Sequence, residues 1–119
     1  MKGIIKIKEN NDIEIIYQKN DQDAMDVIRN HYSPEFVYPI NLNASYCMIV
    51  DVEGYRKELN TNKVGSYFYG SFQNGFFILG DIFIVKSIRD NEGLDIGWIS
   101  ENEILEMIDK IKKIIIFKL

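Results

Sequence analysis

The sequence predicts an α+β fold, a mainly antiparallel sheet of about five to seven strands with two helices packed on it, and three observations carry that prediction. Short β-branched and aromatic runs, punctuated by Asn, Asp and Gly, recur from the first residues to Ile99. Two segments instead repeat apolar residues at helical spacing. Hydrophobic residues make up 46% and charged residues 27% of 119 positions, enough to bury one core without disulfides or metals. One domain, residues 1–119, is the expectation, with no internal repeat, low-complexity tract or linker to divide it.

In order, Gly3 to Lys8 and Ile13 to Gln18 read as strands joined by the turn formers Glu9-Asn10-Asn11-Asp12, an opening hairpin. Asn20-Asp21-Gln22-Asp23 supplies an N-cap and first-turn acids. Ala24, Met25, Ile28 and Tyr32 then share a face, which predicts a helix from about Asp21 to His31. Pro34 and Pro39 make the following stretch a structured loop. Ala44 to Val52 is a strand that Glu53-Gly54 ends, and Tyr55 to Asn62 is either a short helical turn or a hairpin return. Ser66 to Phe72 and Phe76 to Lys86, dense in aromatics and split by Gln73-Asn74-Gly75, read as a hairpin with a break at Gly80. A turn at Asp90-Asn91-Glu92-Gly93 leads to a last strand, Leu94 to Ile99, which holds Trp98. Ser100-Glu101-Asn102-Glu103 is a capping box, in which the serine oxygen accepts the Glu103 N–H and the Glu103 carboxylate accepts the serine N–H. Ile104, Leu105, Ile108, Ile111 and Ile115 continue it as a C-terminal helix, with Lys110, Lys112 and Lys113 late, where the helix dipole favours cations.

Composition excludes several function classes. A lone cysteine, Cys47, permits no intramolecular disulfide and no multi-Cys zinc site, and points to a reducing, cytoplasmic setting. Met1 to Lys8 alternates Ile with Lys and holds no signal-peptide core, and no apolar run, Ile114 to Phe117 included, is long enough to span a membrane. A net charge of −4, from 14 Lys plus Arg against 18 Asp plus Glu, leaves no broad cationic field and argues against nucleic acid as the main partner.

Catalytic candidates are sparse. His31, the only histidine, suits acid–base work, but at a helix C-terminus it also makes a favourable dipole contact. Cys47 sits inside a predicted strand, where a small core residue is the better reading. Gly70, Gly75 and Gly80 are spaced by five but lack a following Gly-Lys-Ser or Gly-Lys-Thr, so they read as strand punctuation. Asp51, Glu53 and Asp81 are carboxylates at strand ends without a metal-ligand pattern, and no cofactor is called for.

Binding has more to stand on. Tyr67, Phe68, Tyr69, Phe72, Phe76, Phe77 and Phe83 crowd one stretch, and strand alternation would send Tyr67 and Tyr69 together to the face opposite Phe68 and Phe72. Exposed, that pair is a contact surface for a protein or a nucleobase; under a sheet covered on both faces it is amphipathic core. Arg29, Arg56 and Arg89 are the only arginines, so a nucleotide would rely on one of them or on Lys57. The apolar tail suggests a homodimer through Ile111, Ile115 and Phe117.

Val50-Asp51-Val52-Glu53-Gly54, then Lys57-Glu58-Leu59-Asn60 with Asn62, then Gly80-Asp81-Ile82-Phe83-Ile84-Val85, then Trp98-Ile99-Ser100 and Glu103, resemble the pattern of a small phage and mobile-element domain family of unknown function. The resemblance covers roughly Ile13 to Met107, rests on turns and caps, and departs where Tyr32-Ser33-Pro34 replaces a glycine-rich stretch. It implies a small accessory protein, a class in which inhibitors of host defence are frequent. The expected function is therefore a non-catalytic binding protein that inhibits a host defence protein or sequesters its nucleotide signal, with Tyr67, Tyr69, Arg56 and Lys57 as its surface. The alternatives are a small hydrolase using His31 or the Asp51 and Asp81 carboxylates, and a structural or assembly module.

Overall fold

In the computed structural model, which describes residues 1–31, 37–90 and 93–119, the chain opens with the expected hairpin. Strand β1 (Gly3–Ile7) pairs antiparallel with β2 (Ile13–Tyr17), Gly3 opposite Tyr17 and Ile7 opposite Ile13. Asn11 closes the turn at φ 74°, a conformation Asn tolerates, and donates its N–H to the Lys8 carbonyl at 2.9 Å. Helix α1 (Ala24–His31) follows.

Strands β3 (Val37–Asn41) and β4 (Tyr46–Asp51) form a second antiparallel hairpin. The loop expected around Pro39 is thus a strand. Proline is tolerated there because β3 ends the sheet: Leu42 donates to the Tyr46 carbonyl, so residues of the same parity, Tyr38 and Ile40, face β4 while Pro39 turns its nitrogen outward.

Strand β5 (Ile82–Asp90) joins the two hairpins, giving the order β2-β1-β5-β4-β3. One edge of β5 takes β4. The other is shared, its first half by β1 and its second half by β6 (Gly93–Gly97). Helix α4 (Glu101–Phe117) ends the fold, and all six strands pair antiparallel.

Both sheet faces are covered. Ile5, Ile7, Met48, Val50, Ile82 and Ile84 pack against Ile104, Met107 and Ile111 of α4, whereas Ile4, Cys47, Ile49, Phe83 and Val85 pack against Val27 and Ile28 of α1. Burial on both sides explains why the central strands read as unbroken apolar runs. Cys47 is a fully buried core residue, as expected, its thiol 2.8 Å from the Ser87 hydroxyl.

Several expectations are corrected. The predicted aromatic hairpin is instead helix α2 (Lys63–Tyr69), a single turn α3 (Ser71–Asn74) and the strand β5. Caps outweigh the β-propensity of Ser66 to Phe72. Asn62 accepts the Gly65 N–H at 2.8 Å at one end, and Gly70 closes the other at φ 75°. Gly70 and Gly75 are therefore helix caps rather than strand punctuation, and Gly80, at φ 82°, turns the chain into β5. Ser100 is the N-cap of α4, but the reciprocal capping box does not form: its hydroxyl donates to the Glu103 carboxylate at 2.8 Å. Ile111 is fully buried in its own core and is no oligomer contact, Ile115 is partly buried, and Phe117 is exposed. Expectations resting on Tyr32 and Pro34, on the turn at Asn91-Glu92 and on the side chains of Phe72 and Arg89 lie outside the described residues. Among the described residues no helix is long and apolar enough to cross a membrane.

Candidate functional site

The feature that stands out is a cleft of about 250 Å³ between the edge strand β3, the turn after β4 and the segment leading into β5. Three stretches of chain build its walls. From β3 come Tyr38 and Ile40; from the turn come Asp51, Val52, Gly54 and Tyr55; from α2 and the following segment come Tyr69 and residues 76–79. Large apolar side chains normally leave water, yet Tyr38, Tyr55 and Phe76 are 57%, 64% and 67% exposed around this single depression.

Local hydrogen bonds hold the walls in place. One Asp51 oxygen accepts the Glu53 N–H at 2.9 Å, the other binds Lys57 Nζ at 2.8 Å, and the Asp51 side chain is 3% exposed. The Leu59 N–H donates to the Gly54 carbonyl, closing the turn. A Cβ on Gly54 would lie 2.9 Å from Cβ of Leu79, so glycine is needed for the turn to seat against the opposite wall. Across the cleft the Tyr55 hydroxyl donates to the Phe77 carbonyl at 3.2 Å and accepts the Phe77 N–H at 3.3 Å. The Asn74 side chain accepts the Phe76 N–H at 2.8 Å and so fixes the loop that displays the Phe76 ring.

Of the expected binding residues, Tyr69 lines the cleft, whereas Tyr67 does not. The expectation that the two share a face assumed a strand; on a helix, residues two apart point about 200° from one another. Tyr67 packs edge-on against Phe68, ring centroids 6.3 Å apart. Arg56 and Lys57 flank the cleft through the turn, and both are in ion pairs, Arg56 with Glu53 and Lys57 with Asp51. The Glu53 carboxylate hydrogen-bonded to Arg56 raises the guanidinium pKa further, keeping it charged. The sequence reading missed Tyr38 and Tyr55. Their signal was present, in an aromatic between two prolines and a tyrosine directly after Glu53-Gly54, but it takes the fold to bring both to one edge.

The catalytic candidates have other duties. Asp51 is the anchor of its turn. Asp81 lies 3.7 Å from Lys6 and accepts the Glu9 N–H at 3.0 Å, which ties the opening hairpin to the start of β5. His31 packs edge-on against the buried Phe83 ring at 6.1 Å and borders a different depression, with Tyr17, Lys19 and Gln22. Among the described residues no group of three or more His, Cys, Asp or Glu is placed to hold a metal ion.

A second polar cluster lies at the start of α4. The Glu103 carboxylate accepts from Ser100 at 2.8 Å and from the Tyr46 hydroxyl at 3.0 Å, and pairs with Lys86, whose ammonium also sits over the Tyr46 ring at 5.1 Å. Lys86 and Ser100 hold the Glu103 carboxyl down at about 2, while burial and the adjacent carboxylate push Tyr46 up to about 12. This group fastens α4 to β4 and β5.

Compared with protein-family models, with curated proteins and with solved structures, the chain matches none.

Proposed function

We propose that this protein is a non-catalytic binding module whose aromatic cleft takes an apolar anchor side chain from a protein partner. The observation that supports this is the convergence of five aromatics, Tyr38, Tyr55, Tyr69, Phe76 and Phe77, on one small depression with a predominantly apolar lining. Tyrosine and phenylalanine held by their surroundings present large contact area at little entropic cost, which is the make-up of interface hot spots.

Size and charge favour a side chain over a nucleotide. Pockets for small organic ligands run from ~300 to 1,000 Å³, and the cleft, at about 250 Å³, falls below that range. The two cations beside the cleft, Arg56 and Lys57, are each engaged by a carboxylate, which leaves them less available to a phosphate. A hydrolase reading has less support, since Asp51 and Asp81 are each tied into backbone and lysine contacts. In the phage or mobile-element setting that the resemblance implies, the partner is a bacterial defence protein and binding inhibits it.

A displayed peptide library, panned against the wild-type protein and against a Tyr69→Ala/Phe76→Ala variant, tests this. The expected result is enrichment of peptides carrying Trp, Phe, Leu or Met at a fixed position, with enrichment reduced at least tenfold on the variant. Enrichment indifferent to the two substitutions, or calorimetry showing micromolar binding of a cyclic or ADP-ribose-type nucleotide to the wild type, would overturn it.

A further inference from the structure

The two ends of the five-strand path, β2 and β3, are built differently. An end strand presents unpaired N–H and C=O groups, a template for another strand, and proteins commonly blunt it with proline or charge. On β3, Pro39 sits mid-strand with its nitrogen outward, so that edge lacks its central donor. Strand β2 carries no proline, and its one charged residue, Glu14, pairs with Lys8 at 2.9 Å. Gln18 donates to the Lys2 carbonyl and Asp12 accepts from Lys8, so the residues of their parity, Glu14 and Ile16, face β1. Ile13, Ile15 and Tyr17 therefore turn their N–H and C=O groups away from the sheet, along an unbroken edge.

We infer that the β2 edge is a homodimer surface, on which β2 of a second copy pairs antiparallel about a two-fold axis at Ile15 and continues the sheet. The occupant follows from self-complementarity. Each copy brings donors and acceptors at Ile13, Ile15 and Tyr17, and a register centred on Ile15 sets Ile13 against Tyr17 of the second copy and Ile15 against itself. Ile13 and Ile15 lie partly buried on the α4 face, Tyr17 is 39% exposed at the end of the strand, and aliphatic–aromatic cross-strand pairs stabilise sheets.

Charge argues against the register centred one residue earlier. Shifting the axis to Glu14 would oppose two glutamates directly, an arrangement that destabilises a strand pair. Centred on Ile15, Glu14 faces Ile16, and the acidic start of β2 at Asp12 lies beside Lys19 of the second copy. Helix α4 extends the surface. Glu103 reaches toward Tyr46 and Lys86, Ile104 sits within 3.1 Å of a Cβ on Gly3, and the next step round the helix carries Leu105, 61% exposed, and the partly buried Ile108 over the β2 side. The dimer differs from the tail-mediated one that the sequence suggests, because its centre is a strand edge and not Ile111 or Phe117.

Amide hydrogen exchange on the wild-type protein across a dilution series, with mass measured by light scattering, tests the inference. The expected result is a mass twice 13.9 kDa at high concentration, with the Ile13, Ile15 and Tyr17 amides protected there and losing that protection on dilution. Tyr17→Pro, which removes an outward N–H and leaves the β1–β2 ladder intact, should weaken dimerisation at least tenfold; a Tyr17→Lys variant serves if the proline chain does not fold. A monomer at every concentration, a dimer whose outward β2 amides exchange freely, or a dimer unmoved by the folded variant would each overturn it.

Discussion

Glu103 stands in the first turn of α4, but its carboxylate is spent on tertiary contacts, with Ser100, Tyr46 and Lys86 around it. Its lowered pKa makes it a determinant of acid stability. A carboxyl that titrates at about 2 in the fold and near 4.5 when unfolded stabilises fully above the unfolded value, and that contribution drains away as pH falls from about 4.5 through 2. Tyr46 acts at the other limb. Raised from 10 to about 12, it favours the fold below its unfolded pKa and loses that contribution as pH rises through 12. Because the Glu103 side chain is one-third exposed, water screens much of the attraction, and Glu103→Gln should cost about 1 kcal/mol near neutrality. Urea unfolding of wild type and Glu103→Gln at a series of pH values should show the two converging below about pH 4.

Helix α2 shows how a few positions decide an element. Its sequence, Lys-Val-Gly-Ser-Tyr-Phe-Tyr, has little helix propensity, and β-branched and aromatic residues are what mark a strand in the absence of a fold. Asn62 reverses that preference. It is fully buried, its side-chain oxygen caps α2, and its amide donates to the carbonyls of Ile7 at 3.0 Å and Gly80 at 2.9 Å. One residue thus starts the helix and joins it to β1 and to the approach to β5. Asn62→Ala strands two buried carbonyls and a helix N–H, and a loss of about 2–4 kcal/mol in denaturant unfolding is expected; Asn62→Asp, with a carboxylate against both carbonyls, should lose more at pH 7 than at pH 4. The elements with local signals were legible in the sequence: the opening hairpin from its Asn-Asp turn, α1 and α4 from their apolar spacing, β4 from its β-branched run. Those settled by distant partners were not. Strand β3 needed to be known as an end strand before Pro39 made sense, and α2 needed carbonyls 55 and 18 residues away from Asn62. The cleft was half legible for the same reason, since Tyr69, Phe76 and Phe77 are close in sequence while Tyr38 and Tyr55 arrive from other elements.

The whole molecule turns on β5. Its neighbours β1 and β4 never touch as strands, so the β1–β2 and β3–β4 hairpins belong to one sheet only through β5, and both core clusters contain its residues. This arrangement has a consequence for synthesis. A ribosome that has released the first 81 residues has delivered two hairpins, each too small to be stable alone, and neither core can close. Arrested nascent chains should therefore stay protease-sensitive at least until β5 has cleared the exit tunnel, and become fully resistant only once α4, which closes the second core, has followed; resistance already present with Asp51 exposed would contradict that order. The delay between making β4 and making β5 is the interval in which the uncovered isoleucines of this chain are most open to aggregation, and slowing translation after Asp51 should lower its soluble yield.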